Sequence, residues 1–240
     1  FLNSGENGPE SVFEVQHSKN SNWWDWGFPQ GSEGSYAIIH HGPRGYNGTV
    51  YASGWSFNVP TQDLYDAFDV NDTRRNVAIL DIDDWASSSG AEYTAGYEHT
   101  GYFNHKYIPR VGSTAAQGEL NYEVNYRAIR YADVLLMAAE ANNRKASPNV
   151  TKARNYLNQV RARAFGNSSR ASSSTGTILT KEIWNERRLE LAMEGHRFFD
   201  LVRTGEAAAK ISGFVPGKHE VFPIPQTEID ISGLTQNPGY

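Results

Sequence analysis

Three carboxylates at successive i, i+4 positions, Glu186, Glu190 and Glu194, are the residues whose spacing most invites chemistry, because such a row puts three acids on one helix face. A helix of this kind can hold a metal pair or run acid–base catalysis. Di-metal helices, however, carry a Glu-x-x-His pair, and His196 falls two residues after Glu194, where it points elsewhere. Arg187, Arg188 and Arg197 are close enough to pair with these acids, and Arg127, Arg130, Asp133 and Glu140 supply a second charged row upstream. The preferred reading is structural: a buried Arg–carboxylate network that fixes how two helices meet.

Residues 22–34 (NWWDWGFPQGSEG) offer a different chemistry. Trp23, Trp24 and Trp26 fall within four positions, with Asn22, Asp25, Gln30 and Glu33 as hydrogen-bonding groups beside them. A pyranose needs that pairing, since its C–H face packs on an aromatic ring while its hydroxyls take directed hydrogen bonds. The competing reading is that two of the three rings fold inward to anchor a loop with little regular structure. Tyr46 and Trp85 are second-rank ligand candidates, and Trp55 is read as core because it precedes the segment from Phe57 to Phe68. Asp81, Asp83 and Asp84 beside Trp85 could hold calcium, and no other cofactor is expected. They lack the glycine and closing glutamate of an EF-hand loop, so a solvated acidic turn is preferred. Asp25, Asp83 and Asp84 are also raw material for a glycosidase pair, which only their separation would decide. The tandem His40-His41 and the pair His99 and His105 miss the i, i+4 spacing of a zincin. Residues 213–218 (GFVPGK) are too short for a phosphate loop, and there is no Gly-x-Ser-x-Gly elbow.

Two kinds of element must hold these groups. Residues 1–120 read as loop-rich, with a strand at residues 11–16 (SVFEVQ), a short extended piece at 35–40, a helix capped by Thr61 with Asp63 in its first turn, and a strand over 76–82. Residues 121–240 read as helical. One helix covers residues 126–141, Ser147-Pro148 breaks the chain, and a second helix covers 149–164, with small residues on the facing sides. Together they make a tetratricopeptide-like hairpin. Residues 166–176 (GNSSRASSSTG) read as an exposed loop. Thr180 caps a third helix that runs on through residues 183–203 with a bend at Gly195, and the tail from residue 221 is extended and Pro-punctuated.

Composition narrows the function. A chain of 240 residues can bury a real core without disulfides or metal. Its net charge of -5, with Lys and Arg scattered, gives no footprint for a phosphate backbone, so nucleic acid is not expected as a partner. Zero cysteines close thiolate chemistry and Cys-bound zinc. No apolar run approaches a membrane span. The 6 Trp, 13 Tyr and 11 Phe are the unusual feature, and Trp crowded into polar, Gly-rich stretches is not how a core is usually written.

Five stretches point in one direction: residues 10–16 (ESVFEVQ), 54–68 (GWSFNVPTQDLYDAF), 126–141 (YRAIRYADVLLMAAEA), 183–203 (IWNERRLELAMEGHRFFDLVR) and 221–240 (VFPIPQTEIDISGLTQNPGY). In order and wording they resemble the C-terminal part of the SusD/RagB family, surface glycan-binding lipoproteins of Bacteroidetes. The resemblance implies a mainly α, SusD-like fold, in which a tetratricopeptide-like helix hairpin adjoins a loop-rich region with a few short strands. It implies one C-terminal domain over residues 1–240, with ligand binding in residues 1–120 and a helical scaffold in 121–240, and further tetratricopeptide-like units before residue 1. It implies non-catalytic binding of oligosaccharide outside the cell and delivery to a SusC-like TonB-dependent transporter. The outer membrane would be reached only through an N-terminal lipid anchor that this chain lacks. No shared motif marks the sugar site, so Trp23, Trp24, Asp25, Trp26, Tyr46 and Trp85 rest on composition, and Thr204 stands where the family often has Trp after LVR. Two other readings stay open: a glycoside hydrolase using loop carboxylates, and a helical scaffold whose ligand is protein.

Overall fold

In a computed structural model, which describes residues 1–20, 33–114 and 120–240, the chain divides into two units, Phe1–Glu194 and Gly195–Tyr240. Elements are short in the first half of the larger unit, where Gly, Pro, Ser and Asn punctuate the sequence every few residues. They are strands Ser11–Val15 (β1) and Arg44–Asn47 (β2), helices Gln62–Ala67 (α1) and Arg75–Ala78 (α2), strand Ile79–Asp81 (β3), helix Ile82–Ser89 (α3), and strands Glu92–Thr94 (β4) and Tyr102–Asn104 (β5). β2 pairs antiparallel with β4, and β3 with β5, where Leu80 stands opposite the fully buried Phe103. Thr61 caps α1 as predicted, its hydroxyl oxygen accepting from the Leu64 amide at 3.2 Å.

Two expectations in this half are corrected. The strand over 76–82 shrinks to β3, because Asn76 and Val77 are helical in α2 and Ile82 opens α3, capped by the Asp81 carboxylate accepting from the Asp84 amide at 3.1 Å. The extended piece at 35–40 is a single bridge from Ser35 to Tyr122. Ile38–His41 then wind into a 3₁₀ turn that buries Ile38 and Ile39, a gain in apolar burial that a strand there would forgo.

The helical half begins with a strand. Tyr126–Arg130 (β6) pairs antiparallel with β1, whereas a helix was expected from residue 126. The extended backbone sends Arg127 to Glu14 on β1 and Arg130 to Glu190 and Glu194, two separate destinations that outweigh the apparent helical period. Helices Tyr131–Arg144 (α4), Val150–Phe165 (α5) and Gly176–Glu190 (α6) follow. Ala132, Leu136 and Ala139 of α4 meet Ala153, Leu157 and Val160 of α5 and Leu179 and Ile183 of α6 in one buried cluster. The alanines let the helix axes approach, and burying each of the larger aliphatics contributes roughly 1.5–3 kcal/mol. Asn149 caps α5 by accepting from the Lys152 amide at 3.0 Å, and Gly166 ends it at φ 69°. Thr180 is no cap: α6 starts a turn earlier, and the Thr180 hydroxyl lies inside it, accepting from Asn143 at 2.8 Å.

The predicted run through residue 203 is two helices. α6 ends at Glu190, and Met193 and Gly195 take φ values of 67° and 86°, outside the helical region, so Gly195 belongs to a break rather than a bend. A further cluster ties the halves of the larger unit together, with Phe68, Ala78, Ile79 and Tyr102 packed on Leu189 and Ala192. The smaller unit holds Arg197–Thr204 (α7), Ala207–Lys210 (α8) and Gln226–Ser232 (α9), the last interrupting the expected extended tail. Gln236 closes that tail on itself through two hydrogen bonds with the Ile224 main chain, at 2.8 and 2.9 Å. The fold is mainly helical with short two-stranded ladders, as expected. Among the described residues, no helix is long and apolar enough to cross a membrane.

Candidate functional site

Trp23, Trp24, Asp25 and Trp26 lie outside the described residues, but the chain on both sides of them is described. The Ser18 amide donates to the Glu33 carbonyl at 3.0 Å, and His17 Nδ1 lies 3.2 Å from the same oxygen, so the flanks are joined. Thr114 meets the same base, because Ser35 and Thr114 both bridge to Tyr122; residues 115–119 also lie outside the described residues. Lys19 ties the two together, donating to the Gly112 carbonyl at 2.8 Å and to the Glu123 carboxylate at 3.0 Å. Gly34 is required here: a Cβ would fall 2.1 Å from Asn121 Oδ1 and 2.5 Å from Asn121 Cα. Tyr122 in turn packs with Ile38, Ile39, Tyr107 and Leu120 in a cluster against which Trp55 lies half-buried, in line with its reading as core. The described residues that flank 21–32 thus share one packed base, with Tyr36 exposed beside it.

Tyr46 and Trp85 are brought together and turned inward. Trp85 Nε1 donates to the Tyr46 hydroxyl at 2.9 Å, Tyr46 is buried with Leu80, Ile82 and Phe103, and Trp85 packs half-buried against the same cluster. The three aspartates have separate employment. Asp81 caps α3, Asp83 accepts from the Tyr93 hydroxyl, and Asp84 is exposed. Burial and then the Asp83 carboxylate push Tyr93 up to about 12. Among the described residues, no three His, Cys, Asp or Glu side chains form a group that could hold a metal ion.

The glutamate row forms a network larger than its sequence neighbourhood. Glu190 accepts from Arg163 at 2.5 Å, Arg130 at 3.0 Å and Arg74 at 3.1 Å. Glu194 accepts from Lys106 Nζ at 2.5 Å and from Arg130 Nη2 and Nε at 2.7 and 2.8 Å. Glu186 meets Arg74 at 2.7 Å and Arg161 at 2.9 Å. Burial alone would raise Glu190 and Glu194, but the cations outweigh it and hold both below the ordinary carboxylate range, while burial lowers Lys106. Acids so paired keep no proton to donate at neutral pH. Arg187 pairs with Asp133 as the charged rows suggested, whereas Arg188 goes to exposed Asp63 and Glu140 to Arg144. Arg74 and Lys106 escaped sequence reasoning because they reach Glu190 and Glu194 across 116 and 88 residues, and no local spacing signals such contacts.

The sequence profile of the SusD family matches residues 81–221. SusD-like protein P2 of Formosa agariphila is 32% identical over 85% of this chain and 44% of its own length. A laminarin-binding SusD-like protein is similar in structure with a TM-score of 0.83 at 40% identity, covering 99% of this chain and 51% of that one. Surface glycan-binding protein A from Bacteroides thetaiotaomicron, in complex with laminarihexaose, gives a TM-score of 0.83 at 32% identity over 98% of this chain and 53% of that one. The chain therefore spans about half the length of the relatives it matches.

Proposed function

This chain belongs to the SusD family, and on that premise we propose that it binds an oligosaccharide at the outer face of the outer membrane and passes it unaltered to a SusC-like TonB-dependent transporter. The observation that carries this reading is the likeness, over 98% of the chain, to a protein in complex with laminarihexaose. Sugar contact is assigned to the surface around the joined bases of residues 21–32 and 115–119, with Trp23, Trp24 and Trp26 as stacking faces and Asp25 as a hydrogen-bond acceptor. Trp85 offers a further apolar edge, which Tyr46 holds in orientation. The buried glutamates serve as fastening, and the Asp83 carboxylate is engaged by the Tyr93 hydroxyl.

Calorimetric titration of the chain with laminarihexaose, for the unchanged protein and for Trp23→Ala, Trp24→Ala and Trp26→Ala, tests the reading. At least one substitution should weaken binding about tenfold, the scale of one lost stacking face. Unchanged affinity in all three would remove the loop from the site. Reducing ends appearing in the bound mixture would replace capture by hydrolysis, and co-purification with a porin-like transporter tests delivery.

A further inference from the structure

Phe57 is 52% exposed, yet its backbone is tied down by main-chain hydrogen bonds. Residues 54–57 lie along residues 39–43 through four main-chain hydrogen bonds: Gly54 to Pro43, Trp55 to Ile39, Ser56 to Gly42 and Phe57 to His40, at 2.8–2.9 Å. The two backbones cross so closely that a Cβ on Gly54 would lie 2.5 Å from Gly42 Cα and 2.5 Å from the Ile39 carbonyl oxygen. Ser56 and Asn58, on either side of Phe57, both take left-handed φ values, 60° and 52°, an uncommon conformation for residues with a side chain. An apolar ring left in water is thus held out by constrained backbone rather than by a wandering loop.

Arg44 completes the arrangement. Its Nε donates to the Trp55 carbonyl at 2.8 Å, its amide donates to Ser56 Oγ at 3.0 Å, and its guanidinium carbon lies 5.6 Å from the Phe57 ring centroid. Nη1 and Nη2 of this exposed side chain have no partner among the described residues. His40 flanks the shelf, its ring 6.0 Å from Phe57 and 4.7 Å from Trp55. Ile38, Ile39 and Trp55 also join the cluster that supports Leu120 and Tyr122, so this shelf stands on the same core as the base of the aromatic loop.

We propose that Phe57 and Arg44 form a second sugar subsite, in which the C–H face of a pyranose packs on the Phe57 ring and Arg44 donates from Nη1 and Nη2 to its hydroxyl oxygens. The chemistry is that of a flat apolar face beside a fixed pair of donors, and a neutral sugar ring satisfies both. The inference rests on the glycan-binding reading above and extends it to a surface outside the tryptophan loop.

The test titrates the full chain with laminarihexaose and with hexaoses of cellulose, xylan and mannan, as the unchanged protein, Phe57→Ala, Phe57→Tyr and Arg44→Met. For the hexaose that binds, Phe57→Ala should weaken affinity about tenfold and Arg44→Met about threefold, while Phe57→Tyr keeps it within about twofold. If Phe57→Ala also lowers the melting temperature, Arg44→Met alone decides the outcome. Unchanged affinity in Phe57→Ala and Arg44→Met overturns the subsite and leaves the tryptophan loop as the site. Absence of binding by the unchanged protein to all four hexaoses overturns the subsite and the glycan-binding reading together.

Discussion

At the residue scale, the positions that matter most to the candidate site carry no chemistry of their own. Gly34 touches buried Asn121, and Gly34→Ala forces a Cβ into that backbone, so we expect a loss of about 1–3 kcal/mol in chemical denaturation and weaker sugar binding in proportion to the displaced loop. His41 makes a second case. Its Nδ1 is buried without a hydrogen-bond partner among the described residues, and burial, followed by the neighbouring His40, lowers its pKa from 6.5 to about 4. A folded-state pKa below the unfolded one means that the unfolded chain takes the proton first. Stability is therefore whole above pH 6.5 and is lost as pH falls toward 4, by up to about 3 kcal/mol for this one group. Denaturant midpoints measured across that window should slope downward into acid, and the slope should flatten in His41→Leu; an equal slope in the variant would refute the assignment. The tryptophan loop is a candidate in sequence alone because Trp is rare and its clustering visible. The sequence hid Gly34, Lys19 and Tyr122, whose roles exist only once residues far apart in sequence are joined, as Lys19 and Glu123 are across 104 positions.

At the element scale, helices stabilised by local pattern were legible and those ended by distant partners were not. Asn149, Gly166 and the small residues of α4 and α5 mark their hairpin unaided, and the structure follows them closely. Residues 126–130 look like the start of α4 because Ile129 and Arg130 fit its period, but pairing with β1 and two separate carboxylate destinations decide the matter. The end of α6 is set in the same way, by a turn that keeps Glu194 against Lys106 and Arg130 beyond the last helical residue. Glu190→Gln leaves Arg130, Arg163 and Arg74 short of a counter-charge, two of them in the interior, and should cost about 3–5 kcal/mol, read as a lower denaturant midpoint. Its pH signature is separate from that of His41. Glu190 and Glu194 have folded-state values below the ordinary carboxylate value of 4.5, so their stabilisation is present above that pH and disappears as pH falls below it. The unchanged protein should therefore steepen its loss of stability below about pH 4.5, and Glu190→Gln should show a shallower fall there; identical acid limbs would contradict the network's role.

At the scale of the whole molecule, the division suggested by composition, a loop-rich first half and a helical second half, does not translate into two independent bodies within Phe1–Glu194. Phe68, Ile79 and Tyr102 from the first half pack on Leu189 and Ala192 from the second. Arg74 and Lys106 reach from the first half to Glu186, Glu190 and Glu194. The proposed sugar-binding surface, made of loops, has few ladder hydrogen bonds of its own, so its rigidity must be borrowed from the helices through these contacts. Native-state hydrogen exchange offers a direct reading. The slowest amides of β5, around Phe103, and those of α4, around Leu136, should open with the same free energy to within about 1 kcal/mol, because both require global unfolding of this unit. Glu190→Gln should lower both values together. If β5 instead exchanges several kcal/mol more readily than α4 and is indifferent to Glu190, the network does not couple the halves, and the loops would have to be ordered by the ligand at a cost to affinity.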